Sequence, residues 1–287
     1  MSFYVTLPSN VQTQQNDNTI GNYVTILPST IKLDSTWRVG LSSIHYTNSW
    51  LNLRNYNEVR LTKHDNKSVH FSNLNYLPPG RYDTVENLLV KIAELVQKTD
   101  EVTKMPQLAY DANARRITQV YGRTKGRHYV AYHFGKELEE LLGVTGGYVS
   151  QQGLKWAAAA NNNDTTKMIE AVRKSLGPAA ILKDDDVLQA LDTYDITGGI
   201  HSLLVYSDVV DYCIVGDVQA QLLRNVEIPI GSKFGDSVVV TYERPYYLPL
   251  ATKEINTIEI AIRDDAGQLV DFKFGRVEVT LHFTNDG

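Results

Sequence analysis

The C-terminal part of the chain alternates strictly between apolar and polar side chains, and this pattern constrains the fold more than any other feature. Val277, Val279, Leu281 and Phe283 fall on one face of an extended run, with Arg276, Glu278, Thr280 and His282 on the other. Ile258, Ile260 and Ile262 repeat the pattern against Thr257, Glu259 and Ala261. A period of two marks a half-buried strand, because successive Cβ atoms point to opposite faces of a sheet. The alternation recurs at the N-terminus, where Phe3, Val5 and Leu7 oppose Tyr4 and Thr6, then in 23–27, and then in Trp37, Val39 and Leu41. Tyrosine is the dominant aromatic, with 17 copies against 7 Phe and 3 Trp, a bias that favours strands. Between the last two runs, Asp264-Asp265-Ala266-Gly267 is a turn signal, so these strands are expected to form a hairpin or lie side by side.

Helical signals are fewer. Asp83 with Glu86 three residues on reads as an N-cap and capping box for a helix over about 84–98, whose apolar face is Val85, Leu88, Leu89, Ile92, Leu95 and Val96. A second helix covers 136–142 and stops at Gly143, where glycine tolerates the positive φ of a C-cap. The stretch from 150 to 195 has a different composition, with Ala157–Ala160 and Asn161–Asn163 runs. There Asp164 caps a predicted helix carrying Met168, Ile169, Val172 and Leu176, which Gly177-Pro178 ends. Asp184-Asp185-Asp186 precedes another predicted short helix over 187–191, its acidic residues favourably placed at the N-terminus. No repeat of fixed period is visible. The pattern predicts a mainly β protein with two stacked antiparallel sheets. Jelly roll fits 287 residues better than the smaller immunoglobulin scale. The 150–195 stretch is read as a helical insertion into a β domain.

Charge and motif content exclude several classes. Lys plus Arg total 28 against 33 Asp plus Glu, which argues against wholesale nucleic-acid coating but leaves room for a local basic patch; no sequence-specific nucleic-acid partner is expected. No apolar run reaches the ~20 residues of a membrane span. The N-terminus lacks the basic and apolar regions of a signal peptide, so synthesis inside the host cell is expected. The lone Cys213, followed by Ile214, Val215 and Gly216, reads as a buried small hydrophobe and offers neither a disulfide nor a Cys-based zinc site. Phosphate-loop, dinucleotide, zincin and nucleophile-elbow motifs are missing. His45, His64, His70, His128, His133, His201 and His282 are scattered, without ligand spacing. Asp184–Asp186 reads as a solvated helix start and Asp264-Asp265 as a turn rather than cation sites. Arg115, Arg116, Arg123, Lys125 and Arg127 around Tyr121 form a local basic segment, read first as a solvated loop and otherwise as a contact for packaged nucleic acid or an acidic subunit. No catalytic, cofactor-binding or metal residue is therefore assigned.

Certain segments are familiar. Phe3-Tyr4-Val5-Thr6-Leu7-Pro8-Ser9-Asn10, Asn18-Thr19, Tyr23-Val24-Thr25-Ile26-Leu27-Pro28 and Trp37-Arg38-Val39-Gly40-Leu41 resemble the opening of penton (minor capsid) proteins of Polinton/Maverick elements, adintoviruses and related virophages. Tyr76–Tyr82 resembles the approach to their first helix, and Leu141-Leu142-Gly143 the end of their second. The strongest likeness runs from Gly199–Asp208 through Val215-Gly216-Asp217 to Leu222-Leu223-Arg224. It continues in Pro245–Leu250, Ile258–Asp265, Phe274-Gly275 and Val279–Phe283. The likeness covers roughly 1–143 and 196–287 in order. The 150–195 segment has no counterpart, and Asp211-Tyr212-Cys213 departs from a Glu-Pro-Gln-like stretch before Val-Gly-Asp.

The resemblance implies a structural, non-enzymatic single jelly-roll protein of the virion, with its core over 1–143 and 196–287 and a partly helical insertion over 144–195 as a small surface subdomain. It would form homopentamers at the fivefold capsid vertices, among trimers of a double jelly-roll major capsid protein. The N-terminal strand and polar 11–18 segment would contact neighbours or the capsid interior, and the 144–195 insertion would meet a host receptor or glycan. No cofactor is implied, and the subunit-interface residues are not identified. Two other readings stay open. A carbohydrate-binding jelly-roll module needs an exposed platform among Trp37, Trp50 and Trp156, although Trp37 is expected in the core. A hydrolase would show a perturbed carboxylate pair in one cleft.

Overall fold

The structure, a computed structural model, describes residues 1–10, 18–34, 36–64, 69–71, 74–96, 102–120, 122–124, 129–145, 148–150, 155–156 and 187–285. The chain forms two compact units, Met1–Leu51 with Gly199–Gly287, and Asn52–Gly198. The division expected from sequence is thereby redrawn, because 52–143 belongs with the intervening segment and not with the sandwich.

In the first unit, eight strands build two antiparallel sheets: β1 (Ser2–Pro8), β2 (Asn22–Lys32), β3 (Trp37–Thr47), β4 (Ser202–Ser207), β5 (Leu222–Glu227), β6 (Ser237–Thr241), β7 (Glu254–Arg263) and β8 (Val277–Asn285). One sheet has the order β1-β8-β3-β6 and the other β5-β4-β7-β2. A short strand, Leu248–Pro249, also pairs with β3, and a separate hairpin joins Cys213–Val215 to Val218–Ala220. Following the chain, β1, β3, β6 and β8 fall in one sheet and β2, β4, β5 and β7 in the other. That interleaving is the double Greek key of a jelly roll. The inward residues of both sheets merge in one core, where Leu7, Leu41, Val279 and Phe283 meet Tyr23, Leu203, Leu223 and Ile260.

The alternation of the last two runs is observed as expected, with Ile258, Ile260 and Ile262 buried on β7 and Val277, Val279, Leu281 and Phe283 buried on β8. Their pairing is not. β7 and β8 lie in opposite sheets. The Asp264–Gly267 turn folds the chain back on β7, where Leu269 bridges Arg263 and Val270 N donates to Ile262 O. The residues from 271 to 276 then lead to β8 in the other sheet. Two amphipathic strands can bury their apolar faces against each other across a core as well as side by side, so the pattern alone does not decide between the two. Two tyrosines enter this core. Tyr23 donates its hydroxyl to the Leu7 carbonyl at 2.8 Å, and burial lifts its ionisation far above the usual phenol range. Tyr46 is fully buried with an unpartnered hydroxyl, and burial together with nearby Tyr242 pushes its pKa up to about 12.

The second unit has its own core, including Leu61, Leu88, Ile92, Ile117, Phe134 and Leu142. Asn57–His64 pairs with Tyr129–Phe134 in one sheet; in another, Gln107–Asp111 pairs with Arg116–Val120 and Tyr148–Ser150 with Val187–Ala190. Helix α1 spans Val85–Leu95 and buries Val85, Leu88, Leu89 and Ile92. Its cap is Thr84, one residue beyond the expected Asp83, because the Thr84 hydroxyl accepts the Asn87 amide at 3.2 Å. Helix α2 spans Lys136–Leu142 as expected and ends on Gly143 at φ 66°. The predicted helix over 187–191 is instead a strand, Val187–Ala190, held between Tyr148–Ser150 and Arg116–Val120. A segment this short gains more from two ladders than from a single unpaired helical turn. The predicted 164–176 helix, Asp184–Asp186 and most of the polar 11–18 segment lie outside the described residues. The unit's ends touch, since a Cβ on Gly198 would sit 2.8 Å from the Asn52 Cα.

Candidate functional site

The outer face of the first sheet carries an aromatic cluster. Tyr4 on β1 faces His282 on β8, their rings stacked with centroids 4.4 Å apart. His282 Nδ1 lies 2.7 Å from the Tyr247 hydroxyl. The chain reaches this position because β3 carries Gly40, where a Cβ would meet the Tyr246 carbonyl at 2.8 Å. Glycine at this point lets Pro245–Tyr247 lie directly on the sheet. His282, on the polar face of the last run, is half-buried between two tyrosines.

On the outer face of the second sheet, a cleft of ≈ 410 Å³ opens beside the Cys213–Ala220 hairpin, lined by residues including Tyr206, Asp208, Gln221, Glu259 and Arg263. Asp208 Oδ1 accepts the Glu259 amide at 2.8 Å. Burial, with the Glu259 charge adding to it, holds the Asp208 carboxyl above the usual carboxylate range. Two carboxylates thus share a cleft, as a hydrolase would require. Register gives the pair a structural role: Ser207 is the last β4 residue opposite β7, at Ile260, and the Asp208 side chain takes the next ladder amide where β4 ends. No catalytic activity is shown by this arrangement.

The remaining sequence candidates disperse. Cys213 is half-buried in the hairpin rather than in the core, its thiol 3.4 Å from the Ala220 carbonyl. Asp264 closes its turn by accepting the Ala266 and Gln268 amides, as expected. Asp265 instead ties down the start of β4, accepting the His201 and Ser202 amides and the Ser202 hydroxyl. Partial burial opposes its ionisation, but the bonds from Ser202 and His201 prevail and hold the Asp265 carboxyl below its ordinary value. His45 contacts Ser237 at 2.6 Å, and burial, with Arg60 nearby, lowers the pKa of His133. Arg115 sits in the Asp111–Arg115 turn over the Tyr194 ring, whereas Tyr121, Lys125, Arg127 and His128 lie outside the described residues. Among the described residues no group of three or more His, Cys, Asp or Glu could hold a metal, and no helix is long and apolar enough to cross a membrane. Trp50 is buried in the core and Trp37 packs against it.

One deeply placed charge was not singled out from sequence. Glu139 on α2 is 3 % exposed, its Oε2 has no partner, and burial plus the adjacent Glu140 charge push its pKa to about 8. It sits between Leu138 and Glu140 in a run that reads as an ordinary charged helix face. Also unflagged were exposed apolar residues of the first unit: Val239 on β6, and Ile214 and Val218 on the hairpin.

No family model matches the chain, and no curated protein matches it. Among solved structures it is similar to the mavirus penton protein, crystallised in selenomethionine form, with 11% identity and a TM-score of 0.47 over 99% of this chain and 98% of that one. It is also similar to a chain of the Sputnik virophage cryo-EM structure, with 9% identity and a TM-score of 0.45 over 99% of this chain and 98% of that one.

Proposed function

We propose that the chain is a penton-type capsid protein, a structural subunit that forms homopentamers at the fivefold vertices of an icosahedral virion, among double jelly-roll major capsid proteins. The observation that carries the reading is the strand order β1-β8-β3-β6 over β5-β4-β7-β2, a jelly roll with a second unit inserted after β3. Viral capsid domains are among the uses of this architecture. The familiar sequence segments fall on that scaffold: Phe3–Asn10 on β1, Gly199–Asp208 on β4, Ile258–Asp265 on β7 and its turn, and Val279–Phe283 on β8. Pro245–Leu250 is the stretch that crosses the first sheet. A rigid sandwich gives each copy two different flanks, as a heterologous ring requires.

The Asn52–Gly198 unit is the element assigned to receptor or glycan attachment, extending the narrower 144–195 assignment. A carbohydrate module built on tryptophan has less support, since Trp50 is buried and Trp37 half-buried. Light scattering across protein concentration, with electron microscopy of the same fractions, tests the assembly. The expected species has the mass of five protomers and forms a ring. A strict monomer that binds glycans on an array would replace this reading with the binding-module one.

A further inference from the structure

We propose that copies of this chain join edge to edge, the open edge of β1 in one copy pairing antiparallel with the open edge of β6 in the next. The inference deepens the capsid reading and rests on it for the number of copies in the ring. The pairing itself is argued from the strand edges.

β1 and β6 are the outermost strands of the first sheet. Antiparallel neighbours alternate between pairs that exchange backbone hydrogen bonds and pairs that do not, so the ladder reveals which groups point outward. Ser9 N donates to Val277 O at 2.8 Å and Asn285 N to Met1 O at 3.1 Å. With Ser2 opposite Thr284 and Pro8 opposite Glu278, the odd residues of β1 bond to β8. Ser2, Tyr4 and Thr6 therefore turn their N–H and C=O groups to the open edge. On β6, Tyr242 N donates to Ser42 O at 2.8 Å and Asn48 N to Asp236 O at 2.9 Å. Val238 and Val240 thus bond to β3, and Ser237, Val239 and Thr241 point outward. Among the described residues no strand pairs with either edge.

Neither edge is protected in the usual way. Exposed edge strands normally carry lysine, inward charge or a bulge against pairing with another chain. Ser-Phe-Tyr-Val-Thr-Leu-Pro and Ser-Val-Val-Val-Thr carry no charge, and proline appears only at the end of β1. The middle of each edge instead displays an apolar side chain, Tyr4 at 63% exposure and Val239 at 64%.

The two edges fit each other. Directions alternate along β1-β8-β3-β6, so β6 of one copy and β1 of a copy placed beside it run antiparallel. With Tyr4 opposite Val239, Ser2 faces Thr241 and Thr6 faces Ser237, and each facing pair exchanges two backbone bonds. Tyr4 and Val239 then form an aromatic–β-branched cross-strand pair. The sheet rows put Thr6 in line with Thr241, through Thr280 and Ser43. That in-line register would set Pro8, which has no N–H, opposite Val239. The offset register tilts the strands against the ring axis, as closed sheets do.

Cysteine trapping in a Cys213→Ser background tests the contact. One variant carries Tyr4→Cys with Val239→Cys, and another carries Thr6→Cys with Thr241→Cys for the in-line register. Facing Cα atoms in bonded pairs lie about 5.5 Å apart, within disulfide reach. Within one chain the two edges are three strand spacings apart, about 14 Å, so any disulfide joins two copies. The expected result is a ladder of covalent oligomers on non-reducing gels from one double variant, with single-cysteine variants remaining monomeric on those gels. Val239→Pro removes an N–H that the chain does not use internally; it should weaken association in light scattering about tenfold in Kd while leaving the far-UV circular dichroism of the folded chain unchanged. Absence of a ladder from both pairs, assembly undiminished by Val239→Pro, or a wild-type chain that stays monomeric overturns the proposal. The two readings fail separately. A ladder that runs past five copies keeps the edge pairing and removes the vertex, whereas five-copy rings without cross-links do the reverse.

Discussion

Glu139→Gln should make the protein more stable at alkaline pH than at acid pH, relative to wild type. The Glu139 carboxyl is buried without a partner on Oε2 and ionises near 8 in the folded chain, against 4.5 for the exposed group. A raised carboxylate pKa costs nothing below the unfolded value. The penalty grows as pH rises through 4.5 and is complete above about 8, because the folded state holds a proton that the unfolded state releases. At ~1.4 kcal/mol per pKa unit the ceiling is about 5 kcal/mol. Screening by solvent close to α2 reduces this to about 2–3 kcal/mol. Glutamine keeps the shape of the protonated acid and removes the titration. Urea unfolding of both proteins at pH 5 and pH 8.5, followed by circular dichroism, gives the variant-minus-wild-type difference at each pH. The expected outcome is a difference larger by about 2–3 kcal/mol at pH 8.5. Equal differences at the two pH values would refute the reasoning, since the carboxyl would then be solvated when charged.

Other expectations follow from the same geometry. Tyr46→Phe removes a buried hydroxyl with no partner and should stabilise the sandwich by about 1 kcal/mol in a thermal or urea melt; destabilisation would mean the hydroxyl is bonded. Asp265→Asn weakens the charged acceptor that holds His201 and Ser202, and should cost about 1–2 kcal/mol at neutral pH. Because the folded carboxyl ionises below its unfolded value, that cost should vanish as pH falls through the folded pKa. Gly143→Ala places a Cβ 2.4 Å from the Thr193 carbonyl at φ 66° and should destabilise the second unit by about 2–4 kcal/mol, read as faster hydrogen exchange in α2. Replacing 52–198 with a short Gly-Ser linker should leave a cooperative, strand-rich melt, because Asn52 and Gly198 are in contact where that unit begins and ends.

Much of the sandwich was legible because one face of each strand is buried, and burial imposes its period on the sequence. Ile258 to Ile262 and Val277 to Phe283 announce their strands and their inward faces without ambiguity. What the period cannot carry is partnership. β7 and β8 read as a hairpin or close neighbours because a turn lies between them, yet that turn only folds the chain back on β7, and the residues after it lead to the other sheet. The same limit explains the misplaced boundary. Val59 and Leu61 alternate with Glu58 and Arg60 as regularly as residues of the jelly-roll strands, and only the two separate cores assign them to the second unit. Val187–Ala190 failed for a related reason: four residues after an acidic run look like a helix start until two neighbouring strands compete for their amides.

The surface used for assembly is harder still to read, because an edge strand differs from a central one only in what it lacks. Ser237–Thr241 has the Val-rich composition of a strand buried on both sides, and composition alone would place it in the middle of a sheet. The sheet order puts it at an edge, where Val239 is exposed. A sequence suited to the centre but found at the edge gains its missing neighbour by pairing with another chain. β1, equally uncharged and at the opposite edge, is the strand of the same fold whose outward groups match it in number and direction. A charge introduced at the centre of either edge, as in Tyr4→Lys or Val239→Lys, should therefore block assembly while sparing the fold. Because each residue lies on a different flank, mixing the two single variants should leave one compatible contact, β1 of the Val239→Lys chain against β6 of the Tyr4→Lys chain. The expected product is a heterodimer that grows no further in light scattering. A mixture that rebuilds full-size assemblies would show that the copies meet through other surfaces.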